Sequence, residues 1–114
     1  MHKKDFTLIK GETFNKEISV TVNKMIYPLT NFTAVSELRP YPGSKELTET
    51  FTCEVFGDDG VVKISLSSEK TNNLPKGIQY YDIVLVNEET NERLYLLGGK
   101  IIIKNHVTEL QQWA

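Results

Sequence analysis

The feature that most constrains this chain is its rhythm. Short runs in which apolar, β-branched or aromatic residues alternate with polar ones recur roughly every eight to fifteen residues, the spacing of a sandwich or barrel. A period of two sends successive side chains to opposite faces of an extended chain. No helical spacing persists beyond a turn or two. The runs cover 5–9, 14–22, 32–39, 47–56, 61–66, 78–86 and 93–104. In the second, Ile18, Val20 and Val22 alternate with Glu17, Ser19 and Thr21. In the sixth, Tyr81, Ile83 and Leu85 share one face, while Ile78, Tyr80, Val84 and Val86 share the other.

Turn chemistry separates the runs. Gly57-Asp58-Asp59-Gly60 is the strongest signal, because glycine accepts positive φ in a tight hairpin. Lys10-Gly11-Glu12, Asn23-Lys24, Pro75-Lys76-Gly77 and the polar stretch 87–92 mark further turns. Pro40-Tyr41-Pro42-Gly43-Ser44 must be a loop, since two prolines and a glycine cannot continue a strand interior. The stretch 25–29 reads as an extended connection, because Pro28 cannot donate to a ladder. The stretch 67–74 is polar and fits a short helical turn. Gly98-Gly99 predicts a bulge or bend in the last run.

About seven strands without crossover helices predict an all-β fold, an antiparallel two-sheet β-sandwich of immunoglobulin-like type. A barrel of similar strand count is the alternative. The 114 residues fit one domain, 1–114, with a flexible N-terminal tail at 1–4 and a C-terminal tail at 105–114. No internal repeat or low-complexity tract divides the chain.

Composition narrows the function classes. The net charge is −2, and apart from Met1-His2-Lys3-Lys4 the cations are scattered, so no basic stripe awaits phosphates and no nucleic-acid partner is expected. The N-terminus has no apolar leader, and no apolar run approaches the length of a membrane span. Asn31-Phe32-Thr33 matches a glycosylation pattern, which carries little weight without a leader. Cys53 is the only cysteine, so no internal disulfide forms. No histidine lies near it in sequence to act as a base, and it reads as a small packing residue.

The sequence holds none of the common catalytic or ligand motifs. HExxH, CxxC, GxSxG, P-loop and GxGxxG patterns do not occur. Gly57-Asp58-Asp59-Gly60 lacks the spaced ligands of a calcium loop. Glu88, Glu89 and Glu92 read as a solvated hairpin rather than a cation site. His2 and His106 lie far apart, whereas a metal site needs three or four converging ligands. Asp82 could serve chemistry only beside a second carboxylate or base, which the sequence does not place with it, and it is expected to cap a backbone group or pair with a lysine. Tyr81 is expected to plug the core and donate its hydroxyl to a backbone carbonyl. No enzyme, no cofactor, no metal and no catalytic residue is therefore expected.

Three stretches together carry a resemblance. Phe6-Thr7-Leu8-Ile9-Lys10-Gly11-Glu12-Thr13-Phe14 is similar to an opening strand, a Lys-Gly-Asp-Thr-like turn and the next strand. Leu29-Thr30-Asn31-Phe32-Thr33-Ala34-Val35 is similar to an Asp-Leu-Thr-Gly-Ala-Thr-type lead into a strand. Leu74-Pro75-Lys76-Gly77-Ile78-Gln79-Tyr80-Tyr81-Asp82-Ile83-Val84-Leu85 is similar to a Leu-x-x-Gly-x-Tyr-x-Tyr-Asp-Ile motif, followed by a hairpin and a Gly-rich strand, Leu97-Gly98-Gly99-Lys100-Ile101. In this order the chain resembles the N-terminal β-sandwich domain of phage baseplate upper proteins and related tail proteins, over about 5–108. It departs from that pattern at Gln79, where the family often has Tyr, and at Asn31 and Phe32, where it has a small Gly-Ala pair.

The resemblance implies a bacteriophage virion structural protein, made in the host cytoplasm, that acts as a tail or baseplate docking module. Its partners would be other virion proteins, with a homo-oligomer possible. A receptor-binding role does not carry over. The alternatives are a capsid decoration or head–tail connector protein, or a carbohydrate-binding module using Tyr41, Tyr95 and Trp113. From the alternation itself, apolar residues on both faces of the sixth and last runs predict a covered outer face. Tyr80, Val84, Val86 and Ile102 are the expected interface residues.

Overall fold

In the computed structural model, which describes residues 2–108, two sheets face each other across the side chains that the alternation sends inward. The elements in chain order are β1 (His2–Lys3), β2 (Phe6–Ile9), β3 (Phe14–Ser19), β4 (Thr21–Val22), β5 (Met25–Ile26), β6 (Phe32–Arg39), β7 (Glu49–Thr50), β8 (Thr52–Phe56), β9 (Val61–Leu66), α1 (Ser68–Asn72), β10 (Gly77–Asn87) and β11 (Arg93–Lys104). The large sheet runs β1-β11-β10-β6-β7, with β2 also on β11. The small sheet is β3-β9-β8, and β4 with β5 form a separate hairpin. The fold is an all-β sandwich, with more strands than the seven expected.

The inward residues form one core. Leu8, Leu38, Ile83, Leu85, Ile101 and Ile103 come from the large sheet and Phe14, Val62, Ile64 and Leu66 from the small one, all buried. Phe6, Phe14, Phe51 and Tyr81 pack ring to ring at centroid separations of 5.7–6.3 Å, within the range aromatic pairs favour. Tyr81 Oη donates to the Lys4 carbonyl at 2.8 Å, the kind of bond expected of it.

Two of the expected strands break where the chain changes sheet. Run 47–56 splits at Phe51: β7 pairs with β6 of the large sheet and β8 with β9 of the small one. Phe51 between them is buried, and its N–H still donates to the Ser36 carbonyl at 2.9 Å. Run 14–22 splits at Val20, whose N–H donates to the Gly60 carbonyl at 2.7 Å and whose carbonyl accepts from Tyr27 N–H at 2.9 Å. The chain then leaves the small sheet for the β4–β5 hairpin, so the stretch expected as a plain connection begins with a strand.

The wholly antiparallel arrangement needs correcting at the N-terminus. Both β1 and β2 run parallel to β11, and residues expected as a solvated tail pair with it: His2 with Leu97 and Lys3 with Gly98. Nor does the Gly98-Gly99 pair bulge. Strand β11 passes through it, and the register shift falls between Ile83 and Val84, opposite the Tyr95–Leu97 stretch. Gly98 and Gly99 instead allow close approach. A methyl group on Gly98 would sit 2.8 Å from the Tyr81 carbonyl, and one on Gly99 would collide with the Lys4 carbonyl.

The polar stretch after β9 does form a helical turn, α1, with Ser67 accepting the Lys70 N–H at its start. Its Thr71 is fully buried. The hydroxyl donates to the Glu12 carbonyl at 2.7 Å and accepts from Gly11 N–H at 3.1 Å, tying the β2–β3 turn to the helix.

Candidate functional site: the outer face of the large sheet

Register decides which outward side chains meet. On β6, β10 and β11 the outward residues fall into rows across the sheet. Thr33, Val86 and Arg93 form one row; Val35, Val84 and Tyr95 the next; then Glu37, Asp82 and Gly98; then Arg39, Tyr80 and Lys100. Ile78 and Ile102 pair beyond the last, with Thr7 of β2 beside Ile102. Apolar groups thus lie at the two ends of the face and polar groups in its middle.

The four expected interface residues all lie on this face. Val84 and Val86 belong to one apolar end, where the exposed Val35 and Tyr95 join them. Ile102 belongs to the other end, beside the exposed Ile78. Tyr80 lies in the row of Arg39 and Lys100, next along β10 from Ile78.

That middle is hollow. A groove of about 570 Å³ is lined by Glu37, Arg39, Tyr80, Asp82, Lys100 and Gly98, with Lys3 on one side and the 41–44 turn on the other. The turn follows from its sequence: Pro42 suits its second position, Gly43 takes φ +84° at its third, and Ser44 N–H donates back to the Tyr41 carbonyl at 3.1 Å. Arg39 holds it to the sheet. One guanidinium nitrogen donates to the Ser44 carbonyl at 3.1 Å and the other to Glu37 Oε1 at 2.8 Å. Gly98, the one position of its row without a side chain, lies on the floor of the groove, where β11 and β10 approach closely.

Asp82 is the chemically distinctive group. Burial pushes its carboxyl above the usual carboxylate range; neighbouring Glu37 adds to the rise and Arg39 opposes it. The second carboxylate that the sequence did not place with Asp82 comes from β6, brought there by register. The expected lysine partner is not there: the ion pairs among the described residues are Arg39 with Glu37 and Lys70 with Glu49. Glu37 and Arg39 were invisible as site residues, since nothing in a single strand says which position of another it will face.

The three aromatics considered for sugar stacking separate. Tyr41 stands on the groove wall, Tyr95 lies in the Val35–Val84 row, and Trp113 is outside the described residues. Cys53 is half-buried against the core, and its thiol is pushed up by burial. Among the described residues no three His, Cys, Asp or Glu side chains converge as a metal-ligand set.

A second exposed feature lies outside the sheets. The β4–β5 hairpin turns through Asn23 and Lys24, both at positive φ, and presents Val22, Met25 and Ile26 at 52, 73 and 60% exposure. These are large apolar side chains, unusually exposed for one small hairpin. Sequence reasoning missed it because a connection with a proline gave no alternation to read.

Neither a protein-family model nor a curated protein matches this chain. Solved structures do. The N-terminal domain of phage TP901-1 ORF48 superposes with a TM-score of 0.52 at 11% identity, covering 91% of this chain and 99% of that one. A family 123 glycoside hydrolase from Clostridium perfringens, described in connection with glycolipid glycan hydrolysis, superposes with a TM-score of 0.57 at 16% identity, covering 96% of this chain but 24% of the hydrolase. This chain therefore spans about a quarter of that enzyme. At such identities the likeness is one of fold.

Proposed function

We propose that this chain, whose fold is that of the phage TP901-1 domain, is a structural module of a bacteriophage tail that works by docking to other virion proteins. The observation that carries the reading is the end-to-end match: 91% of this chain aligns with 99% of a phage domain, so the likeness is to a whole unit and not to a fragment. Two surfaces support it. The β4–β5 hairpin offers Val22, Met25 and Ile26, and the Val35–Val84–Tyr95 row offers an apolar strip on a face that water should cover. The module acts without catalysis.

The test is complementation of a phage lacking the gene, followed by mass spectrometry of separated tails and heads. The wild-type chain should appear in tails. Met25→Asp with Ile26→Asp, and separately Val84→Asp, should fold as the wild type does yet be depleted from tails. Recovery of the chain in heads would favour a decoration or connector role. Its absence from particles would overturn the reading.

A further inference from the structure

We propose that the groove on the outer face of the large sheet is a binding site for a neutral saccharide unit. Its size of about 570 Å³ falls in the range of small-molecule sites, roughly 300–1,000 Å³. Its walls are set before any ligand arrives. Arg39 fastens the 41–44 turn to Glu37 and the sheet, and the rows of β6, β10 and β11 fix the floor. The turn and the floor then need little ordering on binding.

The lining suits one ligand class. Tyr41, 60% exposed, and Tyr80 bring aromatic rings to a space that Pro42 and several charged side chains also line. A phenol ring packs on the C–H face of a pyranose while its hydroxyl stays available for hydrogen bonds. Around the rings stand acceptors, Glu37 and Asp82, and donors, Arg39, Lys100 and Lys3. A cationic ligand would meet three positive groups and an anionic one two carboxylates. A neutral polyol uses both sets, because each hydroxyl donates and accepts. Asp82 makes no ion pair with another described residue, so its carboxylate is open to a donor supplied by a ligand. Bonds from hydroxyls to an ionised acceptor are among the stronger neutral–charged contacts.

This site stands apart from the docking reading. The groove lies in the middle rows, whereas the docking strip and the β4–β5 hairpin lie elsewhere, so either idea can fail alone.

The test is an amide-resolved NMR titration of the full chain with the methyl glycosides of glucose, galactose, N-acetylglucosamine and N-acetylgalactosamine at millimolar concentration. Glycerol and N-acetyl-arginine amide serve as comparison probes. At least one glycoside should shift the amides of Gly43, Tyr80, Gly98 and Lys100 in a saturable way. Tyr41→Ala and Asp82→Ala should each weaken that response roughly tenfold, the loss of one stacked face or one charge-assisted bond. Tyr95→Ala, outside the groove, should leave it unchanged. Since Tyr41 is exposed, its variant should keep the remaining amide spectrum, which separates lost binding from lost folding. No response to any glycoside, a response matched by glycerol, or one that survives Tyr41→Ala would overturn the proposal. A response to the arginine amide alone would make the groove a receptor for a partner's basic side chain, and would overturn it equally.

Discussion

At the scale of single residues, Tyr81 and Asp82 show how neighbours on one strand come to opposite fates. Alternation sends Tyr81 inward, where it packs on Phe6 and Phe51 and its hydroxyl finds the Lys4 carbonyl at 2.8 Å. Tyr81→Phe keeps the ring and deletes that bond. It should lower stability by about 1 kcal/mol, read as a lower urea midpoint with an unchanged m-value. Asp82 points outward into a groove that desolvates it, and its carboxyl titrates above the ordinary value. A carboxyl raised in the folded state binds its proton more tightly there than when unfolded, so stability falls as pH rises from the ordinary value through the raised one. Asp82→Asn removes that dependence. The variant should be the more stable protein above the window, and the two urea midpoints should converge as the pH drops below it. Asn31 is a further case. It takes φ +70°, a left-handed conformation open to glycine and tolerated by asparagine, at a position where the resembled family carries glycine.

Elements show where local signals sufficed and where they did not. Strands β6, β9 and β11 match their alternating runs end to end, and α1 falls in the polar stretch that suggested it. Runs 14–22 and 47–56 kept their alternation through Val20 and Phe51, yet each splits there. A strand's period does not record which sheet it pairs with, and the change of partner is made by backbone bonds to Gly60, Tyr27 and Ser36. The β4–β5 turn carries Lys24 at φ +66°, where a side chain crowds the backbone. Lys24→Gly suits the Asn-Gly preference of such turns and should raise stability by up to about 1 kcal/mol, or roughly 4 °C in Tm. Because Lys24 is exposed and the apolar side chains of the hairpin are untouched, docking should persist in this variant.

The whole molecule is held by pairings distant in sequence. Strand β2 lies against β11, and β10 joins β6 to β11. Loop closure must precede such contacts, so refolding from urea should take milliseconds to seconds, as in other sandwiches, when followed by stopped-flow tyrosine fluorescence. Phe6 of β2 in the large sheet and Phe14 of β3 in the small sheet touch at a centroid distance of 5.8 Å, which couples the sheets. Near- and far-ultraviolet circular dichroism should therefore report one coincident unfolding transition.

The sequence by itself determined the class of the fold, most of its strands and turns, and which face of each strand is apolar. Those properties are local, set by a period of two and by the φ preferences of Gly, Pro and Asn. Tertiary structure alone decided the parallel N-terminal strands, the sheet changes at Val20 and Phe51, and the groove. Each depends on register between segments far apart in the chain. Glu37 meets Asp82, with Gly98 on the other side of it, only because three strands stop sliding at one alignment. That alignment is fixed by the buried side chains on the opposite face of the same strands.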